Sequence, residues 1–175
     1  ALTKIYNRRG FEEKFIVHRR RDDDADRVNG LMLIDIDNFK TVNDTAGHSA
    51  GDQVVIEVAR RLKAALRRVD VCGRWGGDEF IVLVRDCSPQ ALSQIANALT
   101  QMMRQMPVLL SDGEHLPVTI SIGAVLVRAD EGIEFATEMA DAALYRAKTE
   151  GRDRAVFVGE IPARRSGPQG AVLST

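Results

Sequence analysis

Acidic residues stand at the ends of two apolar segments of this sequence. Asp35 and Asp37 follow a wholly apolar run, and Asp78 and Glu79 follow a pair of glycines just before another. If the two segments form neighbouring strands, three or four carboxylates crowd one end of a sheet, where a divalent cation is their natural partner. Oxygen ligands suit Mg²⁺ or Mn²⁺. Asp is also common in turns, and Asp37 could cap the next helix, so the carboxylates alone leave the metal site open.

Three basic residues could bind phosphate. Lys40 is expected in the first turn of a helix, where free N–H groups already favour an anion. Lys148 and Arg152 flank the end of the last predicted helix, where they could equally complement the helix dipole. The sequence has no GxxxxGK[ST] loop and no GxGxxG, so it predicts neither a P-loop nor a dinucleotide-binding fold.

Three polar residues, Asn43, His48 and Asp52, lie in or near one predicted loop. Asn and Asp can together contact the edge of a guanine, with Asp accepting from its N–H groups. A single His such as His48 is more typical of a structural hydrogen bond. The pattern is therefore compatible with a purine pocket without requiring one.

Strand-like and helix-like segments alternate along the chain, with a hairpin signal at Gly76-Gly77. The first half of the chain predicts a helix containing Phe11 and Phe15, an acidic loop at 22–26, a buried strand at 31–34, a short helix capped by Asn38, a turn at 47–51 and a long helix at 55–66. The second half predicts strands at 71–72 and 81–84, a helix at 89–106, a half-buried strand at 118–126, a helix at 135–150 and a strand at 155–158. Met102, Met103 and Met106 of the helix at 89–106 are expected in the core. This order predicts a mixed sheet of about five strands packed against helices. Residues 1–158 are expected to form one domain, and the Pro- and Gly-containing residues 159–175 a linker or tail.

Composition limits the classes of function. The chain has 175 residues, of which 45% are hydrophobic and 28% charged, with a net charge of −1. This is the composition of one globular domain, and the charge balance argues against a nucleic-acid-coating protein. Cys72 and Cys87 form no CxxC pair, so we expect no zinc site and a reducing, cytoplasmic setting. No run of about 18 apolar residues is present, so any membrane attachment of the parent protein would come from outside this chain.

Residues 74–80, RWGGDEF, resemble the signature of the GGDEF family, the diguanylate cyclases. Further similar segments are Leu2-Thr3, Asn7-Arg8-Arg9 and Phe11; residues 35–40; Asn43-Asp44, Gly47-His48 and Gly51-Asp52; residues 119–123; and Ala140-Asp141, Tyr145, Ala147-Lys148 and Gly151-Arg152. The resemblance extends over residues 2–158 in order. Several independent motifs over that span are far more specific than one short pattern.

The resemblance implies an enzyme that condenses two GTP molecules into cyclic di-GMP and releases two pyrophosphates. It implies an α+β fold similar to the palm of nucleic-acid polymerases, with a central, mixed, mostly antiparallel sheet flanked by helices. By the same resemblance Asp35, the carbonyl of Ile36 and Asp78 hold two Mg²⁺ (or Mn²⁺) ions. Asp78 is also the family's assigned proton acceptor, and Glu79 is expected to be a partner at the metal site.

The remaining family positions concern the nucleotide. Lys40 would stabilise the charged phosphates, with help from backbone N–H groups near Asn38 and Phe39. The other expected contacts are Lys148 and Arg152 to the outer phosphates, Asn43 and Asp52 to guanine, and His48 along the guanine pocket. Adenine would leave the Asp52 carboxylate unpaired, so we expect ATP to be rejected.

Two further features follow from the resemblance. Because the product is two-fold symmetric, two copies must face each other as a homodimer, which we expect to be transient in this fragment. Arg67 and Asp70 resemble the family's RxxD motif for inhibition by cyclic di-GMP, although a helix end followed by a turn would also explain them. Members of the family often add a second arginine to this site from the next helix. Here that predicted helix has no arginine before Arg104, so we expect weak inhibition by the product.

Two other functions remain open. The first is a regulatory module that binds GTP or cyclic di-GMP without catalysis, and the second is a cyclase with a mixed dinucleotide product. Degeneration would be expected at metal, phosphate or guanine positions, yet the matching residue is present at each of them. The sequence therefore favours an active cyclase.

Overall fold

A computed structural model describes residues 3–21, 28–128 and 131–159. The elements, in chain order, are β1 (Tyr6–Asn7), α1 (Arg8–Arg21), β2 (Val28–Ile36), α2 (Phe39–Ala46), α3 (His48–Ala65), β3 (Val71–Arg74), β4 (Glu79–Val84), α4 (Pro89–Gln105), β5 (Val108–Leu109), β6 (His115–Leu116), β7 (Ile120–Arg128), α5 (Ile133–Thr149) and β8 (Ala155–Val158). The predicted loop at 22–26 and all but the first residue of the predicted tail lie outside the described residues. No described helix combines the length and apolar character that crossing a membrane requires.

The main sheet has six strands in the order β1-β3-β4-β2-β7-β8. The three central pairings, β3 with β4, β4 with β2 and β2 with β7, are antiparallel. The two outer pairings are parallel. This confirms the mixed, mostly antiparallel sheet. The extra strand is β1, whose two residues are too few to produce a sequence pattern, and a separate two-stranded hairpin, β5–β6, was also not predicted.

Strand β2 separates two layers of apolar side chains. Met32 and Ile34 face a cluster that includes α3 and α4, whereas Leu31 and Leu33 face the cluster of α1 and α5. Successive residues of a strand point to opposite faces, so a strand covered on both sides needs a continuous apolar run. The prediction that residues 31–34 form a central strand is therefore confirmed.

Strand β7 differs from its prediction, because both of its faces are buried. Its alternation arises from the small residues Ser121 and Gly123 on one face, which resemble a solvent-facing pattern in the sequence. That face is covered by α5. A would-be Cβ on Gly123 lies 2.1 Å from the carbonyl oxygen of Ala140 and 2.3 Å from the amide nitrogen of Leu144. The missing side chain therefore permits backbone contact between strand and helix.

Three local predictions were wrong. Asn38 precedes α2 in a left-handed conformation, with φ of 54°, and its side chain makes no capping hydrogen bond. Residues 48–51 form the first turn of α3 instead of a loop, because Gly47 (φ of 83°) makes the change of direction alone. Met106 lies beyond α4 and is 49% exposed, whereas Met103 is in the core as predicted.

Candidate active site

The pairing of β2 with β4 brings the predicted carboxylates to one end of the sheet. Asp35 is directly opposite Glu79 in the register of the two strands. The backbone N–H of Ile36 donates to the carbonyl of Asp78 at 3.2 Å. The acidic edge is defined here as Asp35 and Ile36 at the end of β2, Glu79 at the start of β4, and Asp78 immediately before it. These residues lie side by side, as the sequence predicted.

Asp35 is the buried member of the acidic edge, with 8% of the residue exposed. Its Oδ2 lies 2.8 Å from Nζ of Lys148 on α5. Burial is the main reason that the pKa of the Asp35 carboxyl is raised above its ordinary value. The negative charges of Asp78 and Glu79 raise this pKa further, and the hydrogen bond from Lys148 opposes the rise. The acidic edge thus has more negative charge than Lys148 balances.

This edge fits a magnesium-type site. Among residues 3–21, 28–128 and 131–159, no three His, Cys, Asp or Glu side chains form a group able to hold a metal ion by themselves. Mg²⁺ is usually bound by one or two carboxylates together with substrate phosphates and water. Asp35 and Asp78 provide oxygen donors in a region of excess negative charge, where the Lys148 ammonium now serves as the counter-cation of Asp35.

The turn between β3 and β4 is held by backbone groups and by Arg74. The N–H groups of Trp75 and Gly76 both donate to the carbonyl of Glu79, at 2.8 and 3.2 Å. The Arg74 guanidinium donates to the carbonyls of Gly76 and Gly77. The hairpin prediction is confirmed, but neither glycine has a positive φ, so the turn is not of the type that the glycine pair suggested. The arrangement presents Asp78 beside β2.

The start of α2 follows the acidic edge directly. Phe39 and Lys40 occupy its first turn, immediately after the left-handed Asn38. The first N–H groups of a helix have no partner within the helix and can bind an anion. Asn38 and Lys40 are exposed and Phe39 is half-buried. The exposed Lys40 side chain therefore belongs to a helix N-terminus that begins three residues after Ile36 of the acidic edge.

The three predicted guanine-contacting residues lie on α2 and the first turns of α3, two helices that pack against each other. The Asn43 side chain lies against Gly51, where a Cβ would be 2.0 Å from its Oδ1. His48 and Asp52 are exposed and one helical turn apart on α3. Because Gly51 allows Asn43 to approach α3, the side chains of Asn43, His48 and Asp52 are available at one corner of the domain.

Arg152 lies in the turn after α5, together with Asp153. Both have left-handed backbones, with φ of 62° and 47°. The Asp153 N–H donates to Oδ2 of Asp37 at 3.0 Å. Asp37 lies just beyond β2, and its carboxylate is bound by protein donors, one of which is Ser121, the residue opposite Asp35 in the register of β2 and β7. Sequence reasoning did not find Asp153 or its partner Arg104, because nothing local marks them.

The RxxD motif forms a second cluster, here called the arginine corner: Arg67, Asp70 and Arg85. The Asp70 carboxylate accepts from the backbone N–H, Nε and Nη2 of Arg67 and from the backbone N–H of Arg85. Arg67 also donates to the Arg85 carbonyl at 2.6 Å. A surface pocket of about 480 Å³ adjoins it, with Lys4, Lys63 and Arg68 in its wall. Arg104 is not at this corner, because it binds Asp153.

Comparison with known proteins agrees with this geometry. Residues 1–154 match the family described as diguanylate cyclase, GGDEF domain. The chain is 40% identical over 158 residues to the Bacillus subtilis protein YhcK, covering 89% of this chain and 44% of that protein. It is 40% identical over 155 residues to the diguanylate cyclase DgcP of Pseudomonas aeruginosa, covering 87% of this chain and 23% of that protein.

A solved structure shares the fold. The coiled coil and GGDEF domain of DgcB from Caulobacter crescentus, in complex with c-di-GMP, matches with a TM-score of 0.83 and 28% identity, over 90% of this chain and 83% of that one. The chain spans less than half the length of the two curated relatives. With a family match over nearly all of its described residues, the chain belongs to the GGDEF family of diguanylate cyclase domains.

Proposed function

We propose that this domain condenses two molecules of GTP into cyclic di-GMP. The 3′-oxygen of each GTP forms a bond to the α-phosphorus of the other, the bond between that phosphorus and the α–β bridging oxygen breaks, and two pyrophosphates and two protons are released. The observation that carries this proposal is the register of β2 and β4, which brings Asp35, Asp78 and Glu79 together beside Lys148. Such an edge suits phosphoryl transfer, which depends on positioning and charge stabilisation.

The acidic edge would hold divalent metal, on which GGDEF cyclases generally depend. Asp35, Asp78 and the carbonyl of Ile36 are the proposed ligands of two Mg²⁺ or Mn²⁺ ions, with Glu79 as a partner. Such ions polarise phosphoryl oxygens and lower the pKa of a bound hydroxyl. Asp78 is the proposed acceptor of the 3′-hydroxyl proton, directly or through water.

The remaining side chains would bind the nucleotide. Lys40 and the N–H groups near Asn38 and Phe39 face the reacting phosphates, and Lys148 and Arg152 the outer ones. For Lys148 this requires that its ammonium exchange its contact with Asp35 for a contact with the phosphates, while a metal bound at the acidic edge would compensate the Asp35 carboxylate.

The base would be read at the corner of α2 and α3. Asp52 accepts from the N–H groups of the guanine edge, the Asn43 amide can donate and accept there, and His48 lies along the pocket. Adenine presents no matching donors to Asp52, and we expect GTP to be used in preference to ATP. This supports cyclic di-GMP over a mixed product.

Two copies of the domain would complete one active site. Each copy has one acidic edge and one guanine corner, whereas the product contains two equivalent nucleotides. A two-fold arrangement in which each edge faces the other's GTP satisfies both. Dimerisation imposed from outside the domain would then set the rate through effective concentration.

The arginine corner would bind the product and slow its synthesis. The Arg67 side chain is 54% exposed, and a pocket with several cations adjoins it. Guanidinium groups suit phosphate and guanine. We expect weak inhibition, because Arg67 must be shared with Asp70 and Arg104 is engaged by Asp153.

The test is to incubate the domain with GTP and Mg²⁺ and to separate the nucleotides by anion exchange. A fusion to a stable dimeric coiled coil removes dimerisation as a variable. We expect cyclic di-GMP and pyrophosphate in a ratio of one to two, and loss of both in Asp78→Ala. A fused dimer that binds GTP without forming product would instead identify a regulatory binding module.

A further inference from the structure

Asp37 lies one residue beyond β2 and is held by protein donors. Its Oδ2 accepts from Oγ1 of Thr119 at 2.7 Å and from the N–H of Asp153 at 3.0 Å. Its Oδ1 accepts from Oγ of Ser121 at 2.6 Å. The residue is 6% exposed. Its carboxylate therefore joins the end of β2, the start of β7 and the turn after α5.

That turn has a backbone that needs external support. Arg152 and Asp153 are consecutive residues with a Cβ and a positive φ. Such conformations are unfavourable and persist where surrounding contacts over-determine them. Asp37 fixes the N–H of Asp153 from inside the domain. Arg104 at the end of α4 fixes the other side: its Nε contacts Oδ2 of Asp153 at 2.5 Å and its Nη2 donates to the Asp153 carbonyl at 2.9 Å.

The same turn carries Arg152, and Asp37 is the neighbour of Ile36 in the acidic edge. A connection of covalent and hydrogen bonds therefore runs from Ile36, a proposed metal ligand, through Asp37 to the turn that carries Arg152. The N–H of Arg152 itself donates to the Ala147 carbonyl at 2.9 Å, and Asp37 fixes the next residue of the turn relative to the end of β2.

We propose that Asp37 is a positioning residue for GTP: with Arg104, it holds the left-handed turn at Arg152-Asp153 so that Arg152 meets the outer phosphates. This inference rests on the proposed function, because it assumes that Arg152 binds GTP. Asp37 itself touches neither nucleotide nor metal in this proposal. Its effect is exerted through the turn.

The test compares three single variants, Asp37→Ala, Asp37→Asn and Arg152→Ala. It also includes the double variant that combines Asp37→Ala with Arg152→Ala. Asp37→Ala should raise the KM for GTP about tenfold, with a smaller change in kcat, because one charge-assisted phosphate contact is lost. Asp37→Asn should restore most of the affinity, since its amide oxygen can still accept from Asp153 and its amide nitrogen can donate to Ser121. In the double variant, KM should equal that of Arg152→Ala. Multiplicative effects in the double variant would overturn the proposal.

Arg104→Ala provides the same test from the surface, where folding is not at risk. We expect a rise in KM of about threefold that disappears in the Arg152→Ala background. Arg60→Ala is the matched control, because it removes an exposed, paired arginine on α3. An Arg104→Ala variant with the same KM as this control would refute the proposal.

A binding measurement separates this inference from the proposed function. The affinity of each variant for a non-hydrolysable α,β-methylene analogue of GTP is measured by calorimetry, with GMP as the ligand that lacks outer phosphates. Asp37→Ala should weaken the analogue about tenfold and GMP little. If the wild-type domain makes no cyclic di-GMP but Asp37→Ala weakens binding of the analogue and not of GMP, the cyclase proposal fails and the positioning role stands. Equal weakening of both ligands would overturn the positioning role.

Discussion

The acidic edge and the arginine corner both bring carboxylates against basic groups, but they differ in charge balance. At the edge, buried Asp35 has two carboxylates and one lysine nearby, and its pKa is raised. At the corner, the Asp70 side chain is 1% exposed and accepts four hydrogen bonds from Arg67 and Arg85. The edge therefore has more negative charge than Lys148 balances, whereas the Asp70 carboxylate is fully hydrogen-bonded by protein groups.

This difference in charge balance predicts that one region mainly serves ligand binding and the other mainly stabilises the fold. A buried charge without full compensation lowers stability and is retained where a ligand supplies the compensation. A carboxylate whose hydrogen bonds are all made by protein stabilises the fold, and a ligand must compete with those bonds. Substitutions at the edge should therefore mainly affect activity, and substitutions at the corner should mainly affect stability.

The largest expected effect is that of Asp35→Asn. Synthesis of cyclic di-GMP should fall by about 100- to 1,000-fold, since a charge that stabilises the transition state is lost. The free energy of unfolding should stay the same or rise, because a buried charge is removed. Anion-exchange assays and urea unfolding measure the two quantities. Asp112→Asn, an exposed residue of the β5–β6 turn, is the control, and a variant that keeps a tenth of the activity would contradict the comparison.

Asp70→Ala tests the other region. It should lower the free energy of unfolding by about 2 kcal/mol, because the N–H groups of Arg67 and Arg85 lose their acceptor. Arg67→Ala should cost less, since Asp70 keeps both backbone donors. Urea denaturation of the two variants gives the difference directly. Equal losses would mean that the salt bridge, and not the backbone hydrogen bonds, stabilises the corner.

Lys148→Met tests whether the acidic edge has more negative charge than its one lysine balances. Without the Lys148 ammonium, Asp35 loses the cation that it contacts, so Mg²⁺ should stabilise the variant more than the wild type, by about 1 kcal/mol. Thermal unfolding with Mg²⁺ and with EDTA measures this difference. Arg146→Met, an exposed position on the same helix, is the control. Identical Mg²⁺ effects in all three proteins would count against metal binding at Asp35.

The smallest effect is expected at Glu57, a compensated carboxylate like Asp70. Its hydrogen bond with Arg60, assisted by Arg61, lowers its pKa from 4.5 to about 2. A lowered pKa means that the pairing stabilises the fold above the unfolded value and is lost as the pH falls from 4.5 towards 2. Glu57→Gln should therefore cost on the order of 1 kcal/mol near neutral pH and progressively less in acid. Urea unfolding at several pH values checks this, and a constant cost would refute it.

Sequence reasoning succeeded where the signal is local. The acidic edge was predicted from the carboxylates after the apolar run of β2 and those just before the apolar run of β4. In an antiparallel pair the end of one strand lies beside the start of the other. Sequence reasoning failed for Asp37, whose partners Thr119 and Asp153 are 82 and 116 residues away. Nothing near Asp37 distinguishes a carboxylate bound by distant donors from one that binds metal.

Strand β7 shows a second kind of limit. Its small residues resemble the exposed face of a strand, and only the packing of α5 shows that they make room for a helix. The difference between an absent side chain and a solvent-facing one is a property of the neighbouring element. The same holds for β1, which exists only because β3 supplies a partner for its two residues.

The absent side chain at Gly123 has a consequence for engineering the domain. Gly123 contacts no proposed ligand. Because α5 packs directly on its backbone, the position of α5, and with it that of Lys148, depends on this glycine. A library that aims to change nucleotide selectivity should therefore vary the outward surface of α5 and keep this glycine fixed. Selection for new chemistry would otherwise be masked by variants in which the whole helix has moved.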